Sequence, residues 1–385
     1  MMKRIVLSVL SLFPFVSMAN THDEPWLKCT QITDNAMRLA CFDGVSNNKL
    51  NDMVTHEEHV SSESVKEDHS IVSYSAHADD YPPDATDEHS VQERQDVENQ
   101  TLLSEAGVSD QVVEQYTPLS LLYDLDGNDE RGVFSIRAHN SNYILPVWHN
   151  FKVNDEPGTP KFGRNSLYDG NVKKTEAKFQ ISFKTKMFED IFGTRADIWF
   201  GYTQQSHWQV YNSEWSSPFR DTDYQPEIFI TQPTNMNLPW GMKLRMVGAG
   251  AVHQSNGQSD PWSRSWNRVY GMAGFEWGKV TILPRVWWRI PEKSRKDDNP
   301  DITKYMGYGD LKLAYQYRDH LFSTTLQYNP KHGKGGARLE YAFPISGKLK
   351  GYIQYYDGYG ENLLDYNFHH RSLGIGVMLL DWGGV

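Results

Sequence analysis

Three polar side chains with complementary chemistry lie close together near the middle of the chain: His253, Ser255 and Asn267. His253 and Ser255 are two residues apart, and in a strand such side chains leave the same face about 6–7 Å apart. An imidazole beside a hydroxyl can act as the base that activates a nucleophile. Asn267 opens the next apolar run, so a hairpin would return its amide oxygen to His253 and fix the tautomer that deprotonates Ser255. Gly257 permits a turn in which a backbone amide faces an oxyanion. Spacing alone also allows an ordinary polar loop.

The beginning of the chain predicts export. A basic start, a short apolar run and a small-residue cleavage site indicate a signal peptide over residues 1–19. Cys29 and Cys41, the only cysteines, would then lie in an oxidising compartment, within a small element over residues 20–44. A disulfide is favoured there over a metal site, because a metal would need further ligands.

The region before the second half of the chain is strongly acidic. Residues 20–115 carry 21 Asp and Glu against 5 Lys and Arg. This composition buries too little apolar surface to offset the entropy of chain ordering. We therefore predict a disordered acidic linker over residues 45–115, on the periplasmic side. Its histidines could bind a metal, but a solvated tail is the favoured interpretation.

Residues 116–385 have a different composition, with 28 Asp and Glu, 31 Lys and Arg, and eleven of the twelve tryptophans. Segments of about ten residues alternate apolar and polar side chains between Gly, Pro, Asn and Asp turns, as in membrane β-barrels. Twelve such runs can be counted, and an even count suits a bacterial barrel. They lie near residues 133–148, 174–188, 195–210, 224–232, 242–254, 265–277, 279–290, 304–317, 320–329, 334–343, 347–358 and 370–382. The sequence predicts an all-β fold, a transmembrane antiparallel β-barrel of 12 strands with a lumen filled by side chains. A soluble β-sandwich is the alternative.

The alternation also predicts which face carries the three candidate residues. Asn267 shares its parity with Val269 and Phe275, and His253 shares its parity with Val247 and Ala251. All three polar residues therefore lie on the lipid-facing side. Polar groups directed at lipid are costly unless they are paired or near the headgroups. A nucleophile at this position implies that the substrate is the membrane lipid itself.

Longer motifs carry a resemblance to a known family. The stretch from His253 to Arg268 closely resembles the active-site region of bacterial outer membrane phospholipase A. Further segments share the likeness: Tyr202–Gln204, Asn212–Glu214, Ser216–Arg220, Asp297–Tyr308 and Tyr359–Phe368. The resemblance covers roughly residues 116–385. It implies a twelve-stranded barrel, active as a calcium-dependent homodimer, that hydrolyses acyl esters of phospholipids and lysophospholipids as a phospholipase A1/A2.

The resemblance also implies roles for individual residues. Ser255 matches the nucleophile, His253 the base and Asn267 a neutral orienting group, with the Gly257 amide at the oxyanion. The Ca²⁺ ligands implied around the serine loop are the Gln258 carbonyl, the Ser263 hydroxyl and Ser216 of the partner subunit. Asp298 matches a residue of a further Ca²⁺ site. The family often has Arg where this chain has Gln258, and a backbone ligand should survive that change.

Gln204 marks the predicted dimer interface. It lies on the lipid-facing parity of the run from Ile198 to Gln204. Its amide would be unsatisfied in hydrocarbon, at a cost of several kcal/mol. A self-complementary contact across a two-fold axis would remove that cost.

These features predict a protein of the Gram-negative outer membrane. Its partners would be phospholipid substrate, a second copy of the chain and the barrel-insertion machinery, without nucleic acid. Two other function classes stay open: a non-enzymatic barrel such as a porin, and a calcium-dependent surface-binding protein. The first predicts that Ser255→Ala causes no loss of activity, and the second predicts calcium affinity without ester hydrolysis.

Overall fold

A computed structural model describes residues 25–56, 88–106, 108, 116–127, 129 and 131–380. The predicted signal peptide, 1–19, and the middle of the predicted linker, 57–87, lie outside these residues. The described residues separate into two compact units, a helical N-terminal unit and a C-terminal β-barrel.

The N-terminal unit contains three helices: α1 (Pro25–Cys29), α2 (Asn35–His56) and α3 (Glu88–Glu105). A disulfide joins Cys29 to Cys41, with both residues fully buried. The Asn99 amide oxygen in α3 accepts a hydrogen bond from the Thr33 backbone N–H at 3.1 Å. None of the helices in the described ranges is long and apolar enough to cross a membrane.

Helices occupy part of the range 45–115, for which the composition predicts disorder. Residues 45–56 and 88–105 are helical, and the end of α3 buries Leu103 within the N-terminal unit. Lys28 of α1 forms an ion pair with Glu105 at 3.0 Å. The acidic composition does not indicate this packing, because a few buried contacts with a neighbouring element can order an acidic helix.

The barrel wall consists of twelve long strands. The strands are β2 (Asn142–Asn150), β5 (Thr175–Ile191), β6 (Ala196–Trp208), β7 (Phe219–Asn237), β8 (Lys243–Ser255), β9 (Ser265–Trp277), β10 (Val280–Ile290), β11 (Gly309–Tyr317), β12 (His320–Asn329), β13 (Lys334–Ser346), β14 (Leu349–Gly358) and β15 (His370–Leu380). A short strand β1 (Ile136–Ala138) pairs with β5, and β3 (Gly158–Thr159) with β4 (Gly163–Arg164) forms a separate hairpin. Two helices accompany them, α4 (Pro118–Tyr123) and α5 (Ile302–Met306).

Every wall strand pairs antiparallel with its neighbours, and the sheet closes because β5 pairs with both β2 and β6. This confirms the predicted 12-stranded antiparallel barrel. Short turns connect the strands at one end, and the long connections 151–174, 209–218, 256–264, 291–308 and 359–369 lie together at the other. The hairpin of β8 and β9 therefore presents its connection at the end with the long loops.

Side chains fill the interior. Helix α4 buries Leu119 completely, and the Leu119 backbone N–H donates to Glu276 of β9 at 3.0 Å. Tyr123 of α4 packs edge-on against Trp199 and Phe229. A cavity of about 190 Å³ adjoins Tyr123 and Phe229 and is also lined by polar side chains of the wall strands.

A buried ion pair crosses the lumen of the barrel. Lys178 of β5 is fully buried, and its Nζ lies 2.7 Å from Glu361 Oε1 and 2.7 Å from Gln354 Oε1. Glu361 lies in the connection between β14 and β15. The ion pair therefore joins one wall strand to a long loop that covers the same end as the β8–β9 connection.

Two strand boundaries differ from those that the alternation of apolar and polar residues predicts. The predicted run 304–317 begins inside α5, and the strand starts only at Gly309. The Ile302 backbone N–H donates to the Asn299 carbonyl and the Gly307 N–H to the Thr303 carbonyl, so this segment satisfies its own backbone groups. The first predicted run, 133–148, is divided into β1 and β2.

We predict that Lys178→Met destabilises the barrel by roughly 3–5 kcal/mol, because it leaves the Glu361 carboxylate buried without its cation. The double variant with Glu361→Gln should recover most of that loss. The measurement is the free energy of unfolding by urea titration in detergent micelles, with Lys348→Met, in an exposed turn, as the matched control. A double variant no more stable than Lys178→Met would contradict the pairing.

Candidate active site

The β8–β9 hairpin places two of the three candidate residues side by side. His253 of β8 is the direct cross-strand partner of Asn267 of β9. The His253 Nδ1 atom lies 2.8 Å from Asn267 Oδ1. Because an amide oxygen can only accept, the imidazole donates its Nδ1–H, which leaves Nε2 free to take a proton. The hairpin therefore selects the tautomer in which His253 can act as a base.

Ser255 lies two residues beyond His253 at the end of β8. Its side chain is half-buried on the same outward face as His253, and its cross-strand partners are Ser265 and Tyr224. Among the described residues, no hydrogen bond joins the Ser255 hydroxyl to His253. Strand parity therefore places the predicted nucleophile on the same face as the base. In the described residues, however, the two side chains form no hydrogen bond.

The outward orientation agrees with the burial of the neighbouring residues. Val252 and Gln254 are buried inside the barrel, whereas His253 is exposed. Val247 and Val269, on the same outward parity, are 40% and 42% exposed. The candidate site therefore lies on the apolar outer surface of the barrel.

Gly257 begins the β8–β9 connection in a left-handed conformation, with φ of +63°. A Cβ atom at this position would approach the Tyr224 ring to 3.1 Å. Both observations favour glycine, which has no side chain to strain the backbone or displace the ring. The chain can therefore turn sharply one residue after Asn256, beside Ser255.

The buried Asn256 side chain stabilises the β8–β9 connection through hydrogen bonds. Its Oδ1 accepts from the Arg264 backbone N–H at 2.9 Å, and its Nδ2 donates to the Trp262 carbonyl at 2.9 Å and to Asp221 Oδ1 at 3.1 Å. The Asn256 side chain is buried. It therefore ties both sides of the β8–β9 connection to β7.

Asp221 of β7 extends this support to another loop. Its Oδ2 accepts from the Leu364 backbone N–H at 2.9 Å, in the connection between β14 and β15. The Arg220 guanidinium, next to it, lies 2.8 Å from Glu176 and also pairs with Asp365 of the same connection. Burial alone would raise the pKa of the Asp365 carboxyl, but the Arg220 cation holds that pKa well below its usual value. Asp365 therefore stays ionised and anchors the loop.

The predicted metal ligands are brought together in part. The Ser263 hydroxyl donates to Asp298 Oδ2 at 2.6 Å, and the other oxygen of Asp298 lies 2.6 Å from Lys161 Nζ. The Gln258 side chain turns away from them, because its Nε2 donates to the Arg220 carbonyl at 3.0 Å. In the described part of the chain, no group of three or more His, Cys, Asp or Glu side chains could hold a metal ion. Any cation here would therefore rely on hydroxyl and backbone oxygens as well.

Ser216 lies in a separate loop between β6 and β7. It ends a short 3-10 turn, Ser213–Trp215, with φ of +57°. The turn keeps Ser216 at the end of the barrel with the long loops. Its predicted contact is with a partner subunit, so a single chain leaves that role as a prediction.

Gln204 lies on the outward face of β6, half-buried. Its Oε1 accepts from the Tyr202 hydroxyl at 3.0 Å, and its Nε2 donates to the Ser206 hydroxyl at 3.4 Å. The expectation of an amide with no partner is therefore wrong in part. Neighbours on the same strand face satisfy one acceptor site and one donor within the subunit.

A cleft of about 550 Å³ opens beside Gly257. Aromatic side chains from the loops after β2 and β6 form much of its wall, together with strand β7 and the β8–β9 connection. The aromatic lining residues are Tyr168, Trp215, Phe219, Tyr224 and Trp262. An apolar chain could lie here within reach of the turn after Ser255.

Sequence reasoning missed three supporting residues: Asn256, Asp221 and Glu292. Asn256 carries a usable signal, since it points inward between two outward residues and precedes a turn glycine. Asp221 carries none, because its loop partner Leu364 is 143 residues away in sequence. Glu292 follows β10, and its carboxylate accepts from Asn267 Nδ2 at 3.2 Å.

Comparisons with known proteins agree on one family. The model of the phospholipase A1 family matches residues 119–379. A Neisseria meningitidis serogroup B protein, provisionally named phospholipase A1, is 45% identical over 96% of this chain and 94% of its own length. The phospholipase A1 of Escherichia coli K12 is 45% identical over 55% of this chain and 72% of its own length.

Solved structures give the same result. Outer membrane phospholipase A from Escherichia coli matches with a TM-score of 0.62 at 38% identity, covering 69% of this chain and 99% of that one. A Salmonella typhi outer membrane phospholipase dimer with bound calcium matches with a TM-score of 0.61 at 37% identity, covering 69% and 98%. The closed barrel and these matches place the chain in the Gram-negative outer membrane and show that it belongs to the phospholipase A1 family.

Proposed function

We propose that this protein is a calcium-dependent, dimeric phospholipase A that hydrolyses acyl ester bonds of phospholipids and lysophospholipids. Ser255 is the nucleophile, His253 the general base and Asn267 the residue that orients the base. One observation carries the proposal: the 2.8 Å contact of His253 Nδ1 with Asn267 Oδ1 on the outward face of the barrel, beside Ser255. A porin would have no use for an oriented imidazole that faces lipid.

In the first half of the reaction, Ser255 Oγ attacks the ester carbonyl carbon and its proton passes to His253 Nε2. Asn267 Oδ1 accepts the Nδ1–H throughout and stabilises the imidazolium that forms. In this reaction the Gly257 backbone N–H donates to the oxyanion. The C–O bond of the ester then breaks, and the leaving alcohol takes the proton from His253.

In the second half, a water molecule attacks the acyl-serine ester. His253 Nε2 removes its proton and returns a proton to Ser255 Oγ as the acyl bond breaks, which releases a fatty acid. An asparagine suits this position because it accepts the His253 hydrogen bond without adding a charge close to hydrocarbon. The cleft beside Gly257 provides an aromatic surface for the acyl chain.

The proposed calcium ligands fit the donor preferences of that ion. Ca²⁺ binds oxygen atoms at about 2.3–2.6 Å, including carbonyl, hydroxyl and carboxylate oxygens. The contact between Ser263 and Asp298 brings two such donors together. Gln258 contributes its main-chain carbonyl, since its side chain is already bonded to Arg220. When bound, calcium would supply positive charge close to the oxyanion.

Dimerisation completes the proposed site. Ser216 would reach the calcium ion of the partner subunit, and the Gln204 faces of two barrels would meet. The Gln204 amide keeps one donor available beyond its bond to Ser206. A flat contact through β6 would bury that donor against the partner and would wall the outward-facing site into a groove. A calcium-bound dimer among the similar structures supports this arrangement.

We predict that Ser255→Ala and His253→Ala abolish hydrolysis, whereas Asn267→Ala lowers it by roughly 10- to 100-fold. The first two residues make bonds and move protons, and Asn267 contributes one hydrogen bond to a charged group, worth about 1.5–3 kcal/mol. The measurement is fatty-acid release from phospholipid micelles by purified folded protein. Ser346→Ala, in an exposed stretch at the end with short turns, is the matched control. Full activity of Ser255→Ala would refute the assignment of Ser255 as nucleophile, and no hydrolysis by the wild-type protein would refute the enzymatic proposal.

We also predict that activity follows the dimer population in a calcium titration. Gln204→Ala should require more calcium for the same crosslinked fraction and should lose activity in proportion. Asp298→Asn should shift the calcium midpoint without changing the monomer fold. Crosslinking and hydrolysis are measured on the same samples, with chelator as the zero point. Full activity from a protein that stays monomeric in calcium would contradict the coupling.

A further inference from the structure

Asn267 pairs with two neighbouring strands. On one side its partner is His253 of β8, and on the other its cross-strand partner is Ile290 of β10. Glu292 follows Ile290 by two residues, on the same outward parity. Its Oε1 accepts from Asn267 Nδ2 at 3.2 Å. Hydrogen bonds therefore join His253, Asn267 and Glu292 in a row, which extends one residue beyond the predicted triad.

The Glu292 carboxylate favours one orientation of the Asn267 side-chain amide. An asparagine side chain has a donor end and an acceptor end of nearly equal size, so it can bind in either of two orientations. Only one of them presents Oδ1 to the His253 Nδ1–H. An ionised carboxylate can only accept, and it therefore stabilises the orientation in which Nδ2 faces Glu292 and Oδ1 faces His253.

We propose that Glu292 is a positioning residue for ester hydrolysis, which acts on His253 through Asn267. This inference rests on the proposed function of the site. Glu292 touches no reacting atom in the proposed reaction. It holds the amide in the productive orientation and polarises it, so that Oδ1 is a better acceptor when the imidazole becomes charged.

The position of Glu292 is compatible with a charge. It lies beyond the last paired residue of β10, in the long connection 291–308, and it is half-buried. The same charge explains a constraint on residue 267. An aspartate there would place two carboxylates in contact without a proton donor between them, which is unfavourable. Asn267 and Glu292 are therefore matched as a pair.

The first experiment replaces Glu292 alone. Glu292→Ala should lower kcat about 3- to 10-fold with KM unchanged, because the lost interaction strengthens only as the imidazolium forms. Glu292→Gln should lose less, since its amide oxygen can still accept, although its amide nitrogen also permits the reversed orientation. Glu156→Gln is the control, because it removes an exposed carboxylate at the same end of the barrel. Rates are normalised to folded protein, measured by its mobility in unheated gels.

The second experiment tests whether the effect of Glu292→Gln on kcat changes sign when residue 267 is changed. In an Asn267→Asp background, Glu292→Gln should raise kcat several-fold, because the glutamine amide donates to the introduced aspartate where the glutamate repels it. A residue that only supports the loop would lower kcat in both backgrounds. Equal effects in the two backgrounds, or no effect of Glu292→Ala on kcat, would overturn the inference. Failure of the proposed function would appear differently, as no hydrolysis by the wild-type protein or as full activity of Ser255→Ala.

Discussion

The position of the candidate site depends on Arg220, whose guanidinium is buried between two carboxylates. Glu176 belongs to β5 and Asp365 to the connection between β14 and β15, so one cation joins wall strands to a loop. The Arg220 carbonyl also accepts from Gln258 in the β8–β9 connection. Removing the guanidinium would leave two buried carboxylates without this cation. An ion network inside the barrel therefore holds the loop next to Ser255 in place.

The two faces of the barrel carry different parts of the same site. His253, Ser255 and Asn267 point outward, where they can meet lipid. Asn256 and Asp221 point inward, where their hydrogen bonds are shielded from water and hold the connecting loop. Strand alternation makes this division possible, because adjacent residues of one strand face opposite sides.

The same alternation explains what could be predicted from the sequence. A period of two is local, so the outward face of His253 and Asn267 and the twelve-stranded barrel could be predicted without any knowledge of distant contacts. The interior network could not, since Asp221 meets Leu364 only after the barrel has closed. Alternation also predicts strand over residues 304–306, where local backbone hydrogen bonds form α5 instead. The order in α3 depends on packing that composition does not record.

The outward orientation of His253 and Ser255 has a kinetic consequence. An enzyme with an inward cleft meets its substrate by diffusion in three dimensions, and substrate concentration can limit its rate. Here the lipid that solvates the barrel is also the proposed substrate, so the substrate concentration at the site is the surface density of phospholipid in the leaflet around it. The density of assembled sites is counted in the same two dimensions. The natural rate law is therefore one in molecules per unit area of membrane.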